Sequence, residues 1–207
     1  MDVGWRLADV PAMLARARAL DPGPRAFDLR ADRYTLEPPC PAERVLAVEW
    51  MAGARLPEDY RRFLLDVGDG GAGPGYGMLR LGARLRPDET PPDLAHDFLH
   101  TAAWNSYVSE VDYFDARWIA GSLPLADYGC AITARLVVRG PARGEVWIDD
   151  RGSDNGIYPI TPAIAAGLDG DRAVARAREA AGNDRRMTFA DWYLDWLGRR
   201  LAVGREG

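Results

Sequence analysis

His96 and His100 stand four apart in HDFLH, the spacing that places two imidazoles on one helix face where they can share a zinc ion. Asp97 falls where a zinc protease of that pattern carries its glutamate, and it is a shorter general base. Pro91 and Pro92 lie just upstream, and no third ligand is apparent, so a metal site is not expected. Asp149, Asp150, Asp154 and Asn155 form an acidic turn of the kind that holds calcium. Counted from Asp150, however, the twelfth position is Thr161, where a calcium loop needs an acid. The default for this turn is a solvated hairpin end.

The third candidate is LPEDYRRFLLDVGDGGAGPGYG, Leu56 to Gly77, a short amphipathic helix running into a loop with six glycines and Pro74. Glycine-rich loops cradle phosphate when they precede a helix N-terminus, where backbone N–H groups and the dipole favour an anion. This loop follows a helix C-terminus, the negative end. All 26 basic residues are arginine, so no phosphate-binding, Schiff-base or general-base lysine exists anywhere in the chain. The loop is expected to be scaffold. Cys40 and Cys130 are far apart with no CxxC spacing, and no GxSxG or Ser/His/Asp arrangement can be assembled. Carboxylates are plentiful, but none stands out as a catalytic pair. No catalytic residue, no metal and no cofactor is expected.

The chain's 207 residues suit one compact domain, with 47% hydrophobic residues to build its core without disulfides. Its net charge of −5 argues against nucleic acid as a partner and suits a basic protein. The start, MDVGWRLADVPAML, lacks both a basic region and a long apolar run, so no signal peptide is expected. With no run long enough to span a bilayer, a cytoplasmic, membrane-free protein is expected.

The elements that must position these groups follow from periodicity. Asp9 to Leu20 predicts a helix with Val10, Met13, Leu14 and Ala17 on one side. Residues 21–41 form a proline-bearing linker whose Tyr34 and Leu36 can fold back onto the core. Pro41 to Ala54 predicts a second helix with Val45, Leu46 and Trp50 apolar. The helix from Pro57 carries Leu56, Tyr60, Phe63, Leu64 and Val67 on one face, and Gly68 is placed to end it in the left-handed region. Strands are predicted at 76–81, 118–125, 131–139, 144–149 and 157–160, with a turn of helix at 94–99 and a helix at 171–181. Thr188 and Asp191 form a capping-box pair that opens a last helix, whose Phe189, Trp192, Tyr193, Trp196, Leu197 and Leu201 make a core stripe. Helices, then strands, then a helix imply α+β: a single domain whose mainly antiparallel sheet is packed by N-terminal and C-terminal helices.

These residues resemble the SUKH superfamily, the group that includes the fungal Smi/Knr-type regulators of cell-wall synthesis. The likeness begins with Tyr34-Thr35-Leu36 and Pro38-Pro39. It runs through LPEDYRRFLLDVGDGGAGPGYG and then LPLADYGC with ITARLVVRGPARGEVWIDD at 123 to 150, and closes with TFADWYLDWL at 188 to 197. The resemblance implies residues 1–33 as an N-terminal helix and linker, 34–202 as the SUKH-like domain and 203–207 as a short tail. It also places His100 in a loop leading to Trp104-Asn105 rather than on a helix.

The resemblance further implies a small domain without a catalytic constellation. Many bacterial members are thought to be immunity proteins that bind and block a cognate toxin, often a nuclease. The expected function is therefore non-enzymatic steric blockade of a basic protein toxin. The expected surface is Tyr76 and Trp104 with the acids Asp66, Asp69, Asp149 and Asp150, whereas Trp147 belongs to the core. The alternatives are a regulatory or scaffolding module of the Smi/Knr type and a hydrolase using carboxylates or the His96/His100 pair.

Overall fold

The computed structural model describes residues 6–20, 34–83, 93–169 and 185–203, so the helix predicted at 171–181 lies outside the described residues. Its centre is a four-stranded antiparallel meander in the order β1 (Ser122–Gly129), β2 (Ile132–Val137), β3 (Val146–Asp150), β4 (Gly156–Pro159). The α+β reading holds: the described helices lie before and after this sheet. They are α1 (Val10–Leu20), α2 (Ala42–Ala52), α3 (Glu58–Arg62), α4 (Glu110–Tyr113), α5 (Pro162–Asp169) and α6 (Phe189–Val203).

Alternation along the strands sends side chains to two different layers. Val146, Ile148 and Tyr158 face the main core with Leu123, Ala134 and Leu136. Trp147 and Ile157 point the opposite way, into a second cluster with Phe98, Ile119, Val137 and Ala142. Trp147 is thus fully buried, as its place in GEVWIDD suggested, but on the face away from its neighbours. Both sheet faces are thus covered by packed side chains.

On the main face, α6 lays down the aromatic stripe. Phe189 packs edge-on to Tyr60 and Phe63 at 4.8 and 5.1 Å between ring centroids, and Tyr193 lies 4.9 Å from Phe63. Thr188 Oγ1 accepts from the Asp191 N–H and Asp191 Oδ2 accepts from the Thr188 N–H, both at 3.2 Å, which closes the predicted capping box. Helices α1 and α5 pack on α6, and Val10, Met13, Leu14 and Ala17 of α1 join the same cluster. Tyr34 and Leu36 do fold back against it, half-buried.

Several local expectations change. The helix from Glu58 widens into a π turn at Phe63–Val67, closed by Gly68 N–H donating to Phe63 O at 2.9 Å. Gly68 then takes extended backbone (φ 175°), not the left-handed region. Glycine is needed there because a Cβ would sit 2.8 Å from Glu37 O. Residues 76–81 do not form a strand; only Met78 pairs, bridging Gly71 and Ala126. They lie along the outer edge of β1, with Leu79 N–H donating to Leu125 O at 2.8 Å, and so cover that edge. Residues 94–99 are not helical, and 118–125 divides into a 3₁₀ turn (Ala116–Ile119) and β1, with a bend at Gly121 (φ +65°) between them.

Helix α2 buries only one of the three apolar residues named for it, Val45. It buries Val45, Val48, Glu49 and Ala52, while Leu46 and Trp50 point outward, Trp50 at 85% exposure. The buried carboxylate accounts for which side faces in. Glu49 accepts from the Leu56 N–H at 3.0 Å and from Arg61 at 3.1 Å, partners that satisfy it only if that side faces in.

Candidate protein-binding face

The six acidic and aromatic residues singled out above do not form one exposed face. Asp69 is buried: Oδ2 pairs with Arg44 at 2.9 Å and Oδ1 accepts from the Leu81 N–H at 2.6 Å. It pins the glycine loop rather than presenting charge. Asp150 is buried at the end of β3 and accepts from the Tyr158 hydroxyl at 3.1 Å. Asp149 is held bidentately by Arg151, at 2.7 and 2.8 Å, with 14% of its side chain exposed. The expectation that these three acids are exposed is therefore corrected: each is consumed by a structural partner. Asp66 is exposed but lies elsewhere, on a cleft of about 780 Å³ lined also by Arg6, Pro11, Glu58 and Arg62.

Tyr76 and Trp104 remain, and the structure brings them to the same end of the sheet. Tyr76 is exposed and packs on the β1–β2 turn, where a Cβ on Gly129 would meet its hydroxyl at 2.6 Å. That turn, Cys130-Ala131, has positive φ at both residues (52° and 60°) and joins opposed Gly129 and Ile132. It abuts the β3–β4 turn, since a Cβ on Gly152 would lie 2.5 Å from Ala131 Cβ. Asn105 Nδ2 donates to Asp154 O at 2.9 Å and carries the surface on to α4.

Trp104 pairs with β4, exchanging backbone hydrogen bonds of 2.7 Å with Ile157 in both directions and so covering the second sheet edge. Its indole lies 4.6 Å from Trp118, stacks on Tyr113 at 5.5 Å and tilts against His100 at 5.4 Å. Phe98 meets Trp147 edge-on at 5.1 Å beneath them. The result is a half-buried aromatic platform over the Trp147 face of the sheet.

Polar groups lock this platform in place. Tyr113 Oη donates to Asn105 Oδ1 at 2.7 Å, and Trp118 Nε1 donates to Asp112 O at 2.7 Å. Arg151 is buried, and NH1 donates to the carbonyls of Tyr113 (2.8 Å) and Asp115 (3.2 Å) while the rest of the guanidinium grips Asp149. A single arginine thus ties α4 to the sheet. Ser109 caps α4 by accepting from the Asp112 N–H at 3.2 Å.

What the platform presents outward is apolar. Tyr107 (65%), Val108 (76%), Val111 (86%) and Phe114 (48%) form an exposed ridge from residue 107 to 114. Glu110 and Asp154 are exposed beside it, and Asp112 and Asp115 both reach Arg117. The sequence reading missed this ridge. The signal was present as Ser109-x-x-Asp112, a capping pattern flanked by the large apolar residues Tyr107, Val108, Val111 and Phe114.

The two histidines part company. His96 is exposed, with Nδ1 2.6 Å from Asp93 Oδ2. His100 is buried, and its Nε2 lies 2.9 Å from Trp118 O, so that nitrogen carries the proton. Burial holds the His100 pKa below its ordinary value. Neither sits on a helix, and among the described residues no group of three His, Cys, Asp or Glu side chains is arranged to hold a metal.

Comparison of the chain with protein-family models, with curated proteins and with solved structures finds no match. Among the described residues, no helix is long and apolar enough to cross a membrane.

Proposed function

We propose that this chain is a non-enzymatic protein-binding domain of the SUKH type, acting as an immunity protein that occludes a basic toxin. The observation that carries the reading is the ridge of Tyr107, Val108, Val111 and Phe114: large apolar groups left in water on a backbone fixed by buried hydrogen bonds. Isolated exposed apolar residues are ordinary, but a contiguous ridge on a preorganised support is the profile of a recognition surface. Glu110 and Asp154 beside it, on a chain of net charge −5, favour a basic partner. The sequence resemblance adds the partner class, a toxin and often a nuclease.

The mechanism is steric. Acidic groups raise the association rate by steering, and aromatic burial at the ridge slows dissociation. Tyr76, at the far side of the two abutting turns, extends the same end of the molecule.

The test is co-expression with the product of the neighbouring gene. The reading expects that product to be toxic alone, harmless with this chain, and recovered with it as a complex. Val111→Arg, at a site 86% exposed, should abolish protection while leaving the unfolding midpoint unchanged. Absence of rescue and of a complex refutes the immunity role for that pair. Full protection by the Val111→Arg variant instead removes the ridge as the interface.

A further inference from the structure

A second apolar face lies on α2, and its chemistry differs from that of the ridge. Glu43, Leu46, Ala47, Trp50 and Met51 are all exposed along the outer side of this helix, Leu46 at 56%, Trp50 at 85% and Met51 at 53%. The opposite side holds Val45, Val48, Glu49 and Ala52 in the interior, so the outward stripe is fixed in direction. A tryptophan this exposed leaves roughly 200 Å² of apolar surface in water.

The charges at the two ends of the helix are opposite. Arg44 is exposed but compensated by buried Asp69, at 2.9 Å, which leaves Glu43 as the unbalanced charge at the N-terminal end. At the C-terminal end, Arg139 NH1 donates to Ala52 O at 3.0 Å and Arg143 NH2 donates to Arg55 O at 2.9 Å, with Arg55 itself exposed. Arg139 is balanced by Asp97, at 3.0 Å, so among the described residues an unbalanced acid marks one end and two unbalanced arginines, Arg55 and Arg143, the other. A uniformly basic partner would be repelled at the arginine end. A second copy, turned end for end, would find complementary charge at both ends.

We propose that the outer face of α2 is a homodimer interface, with the two α2 helices packed antiparallel across a two-fold axis. With the axis between Ala47 and Trp50, each Trp50 indole covers Ala47 of the second copy, a large group over a small one, and Leu46 meets Met51 of the second copy. Glu43 reaches the turn that carries Arg55 of the second copy. The alanine at the crossing lets the helices approach to the short end of the usual 8–10 Å range. The apolar centre is smaller than the roughly 800 Å² per partner of a stable interface, so the dimer is expected to dissociate in the micromolar range.

The interface leaves the ridge free. Arg139 and Arg143 come from the β2–β3 connection, at the end of β2 opposite the Cys130-Ala131 turn where the ridge surface gathers. Dimerisation and partner binding are thus separate properties, and either can be tested without the other.

Sedimentation velocity of the full chain over a concentration series is the experiment. A monomer–dimer equilibrium is expected. Trp50→Ala should raise the dimer dissociation constant at least about thirtyfold, as loss of a central aromatic anchor does. Glu43→Arg alone and Arg55→Glu alone should each raise it roughly tenfold, because the two-fold axis duplicates each charge contact. The double variant Glu43→Arg/Arg55→Glu should return it to within about twofold of the native value, a restoration that only antiparallel end-to-end pairing produces. The three substituted positions, Glu43, Trp50 and Arg55, are exposed, and circular dichroism melts confirm that each variant is folded. A chain that stays monomeric throughout, a dimer indifferent to Trp50→Ala, or a double swap that restores nothing overturns the proposal.

Discussion

Replacing Arg151 with methionine should cost this fold about 3–5 kcal/mol, and the structure says where that cost arises. Arg151 is 4% exposed, and methionine keeps most of its aliphatic volume, so packing of the stem is largely preserved. What is lost is polar. Asp149, only 14% exposed at its side chain, keeps its charge without the bidentate partner at 2.7 and 2.8 Å. The carbonyls of Tyr113 and Asp115 lose their donor from the same guanidinium. Breaking a buried pair from one side leaves an uncompensated charge, which accounts for most of the loss; each abandoned carbonyl adds roughly 1 kcal/mol. Against a typical domain stability of about 5–15 kcal/mol this is a large fraction. Urea unfolding, read as a midpoint shift at constant slope, measures it. The double variant Asp149→Leu/Arg151→Met removes both charges and should be more stable than Arg151→Met alone. A cost below about 1 kcal/mol for Arg151→Met, or a double variant at the sum of the singles, would refute the argument that this one side chain fastens α4 to the sheet.

Three further outcomes follow from the same geometry. Because burial depresses the His100 pKa, the native state resists protonation while the unfolded chain binds a proton near pH 6.5; stability should be full above that pH and fall as pH drops toward the lowered native value. His100→Gln keeps a donor for Trp118 O and should lose that pH slope in unfolding titrations between roughly pH 5 and 7. Cys40 is buried, and desolvation with the nearby Asp69 carboxylate pushes its thiol up to about 11, whereas Cys130 is exposed. Iodoacetamide should therefore modify Cys130 in the native protein and Cys40 only after denaturation, as peptide mass mapping will show. Gly71→Ala combines φ +97° with a Cβ 2.5 Å from Thr35 O and should cost about 3 kcal/mol or more, while Gly82→Ala (φ +76°, nothing within 4 Å) should cost about 1–2 kcal/mol; equal thermal shifts would contradict the distinction.

The division between what could be read early and what could not follows the range of the interactions. The faces of α1 and α6 were legible because a helix stripe repeats within a few residues, and the Thr188/Asp191 box was legible because its partners are three apart. Helix α5 was missed although Thr161 accepts from the Ile164 N–H at 3.4 Å, a weak cap preceding Pro162. The strand predicted at 76–81 fails because its glycine-punctuated backbone pairs only at Met78. The side of α2 that faces in was not legible, because nothing local reveals that Glu49 has Arg61 and the Leu56 N–H waiting for it.

The chain by itself determined the α+β class and the antiparallel meander, since periodicity and turn residues are local facts. Tertiary structure alone decided which charges are spent and which remain on display. Asp69 meets an arginine 25 residues upstream, and Asp150 meets a tyrosine across a hairpin; Arg151 reaches back 38 residues to hold Tyr113. A carboxylate looks the same in sequence whether it faces water or a guanidinium. Only packing, which brings distant donors to it or leaves an apolar ridge and a tryptophan uncovered, separates the residues that build the fold from those left to meet a partner.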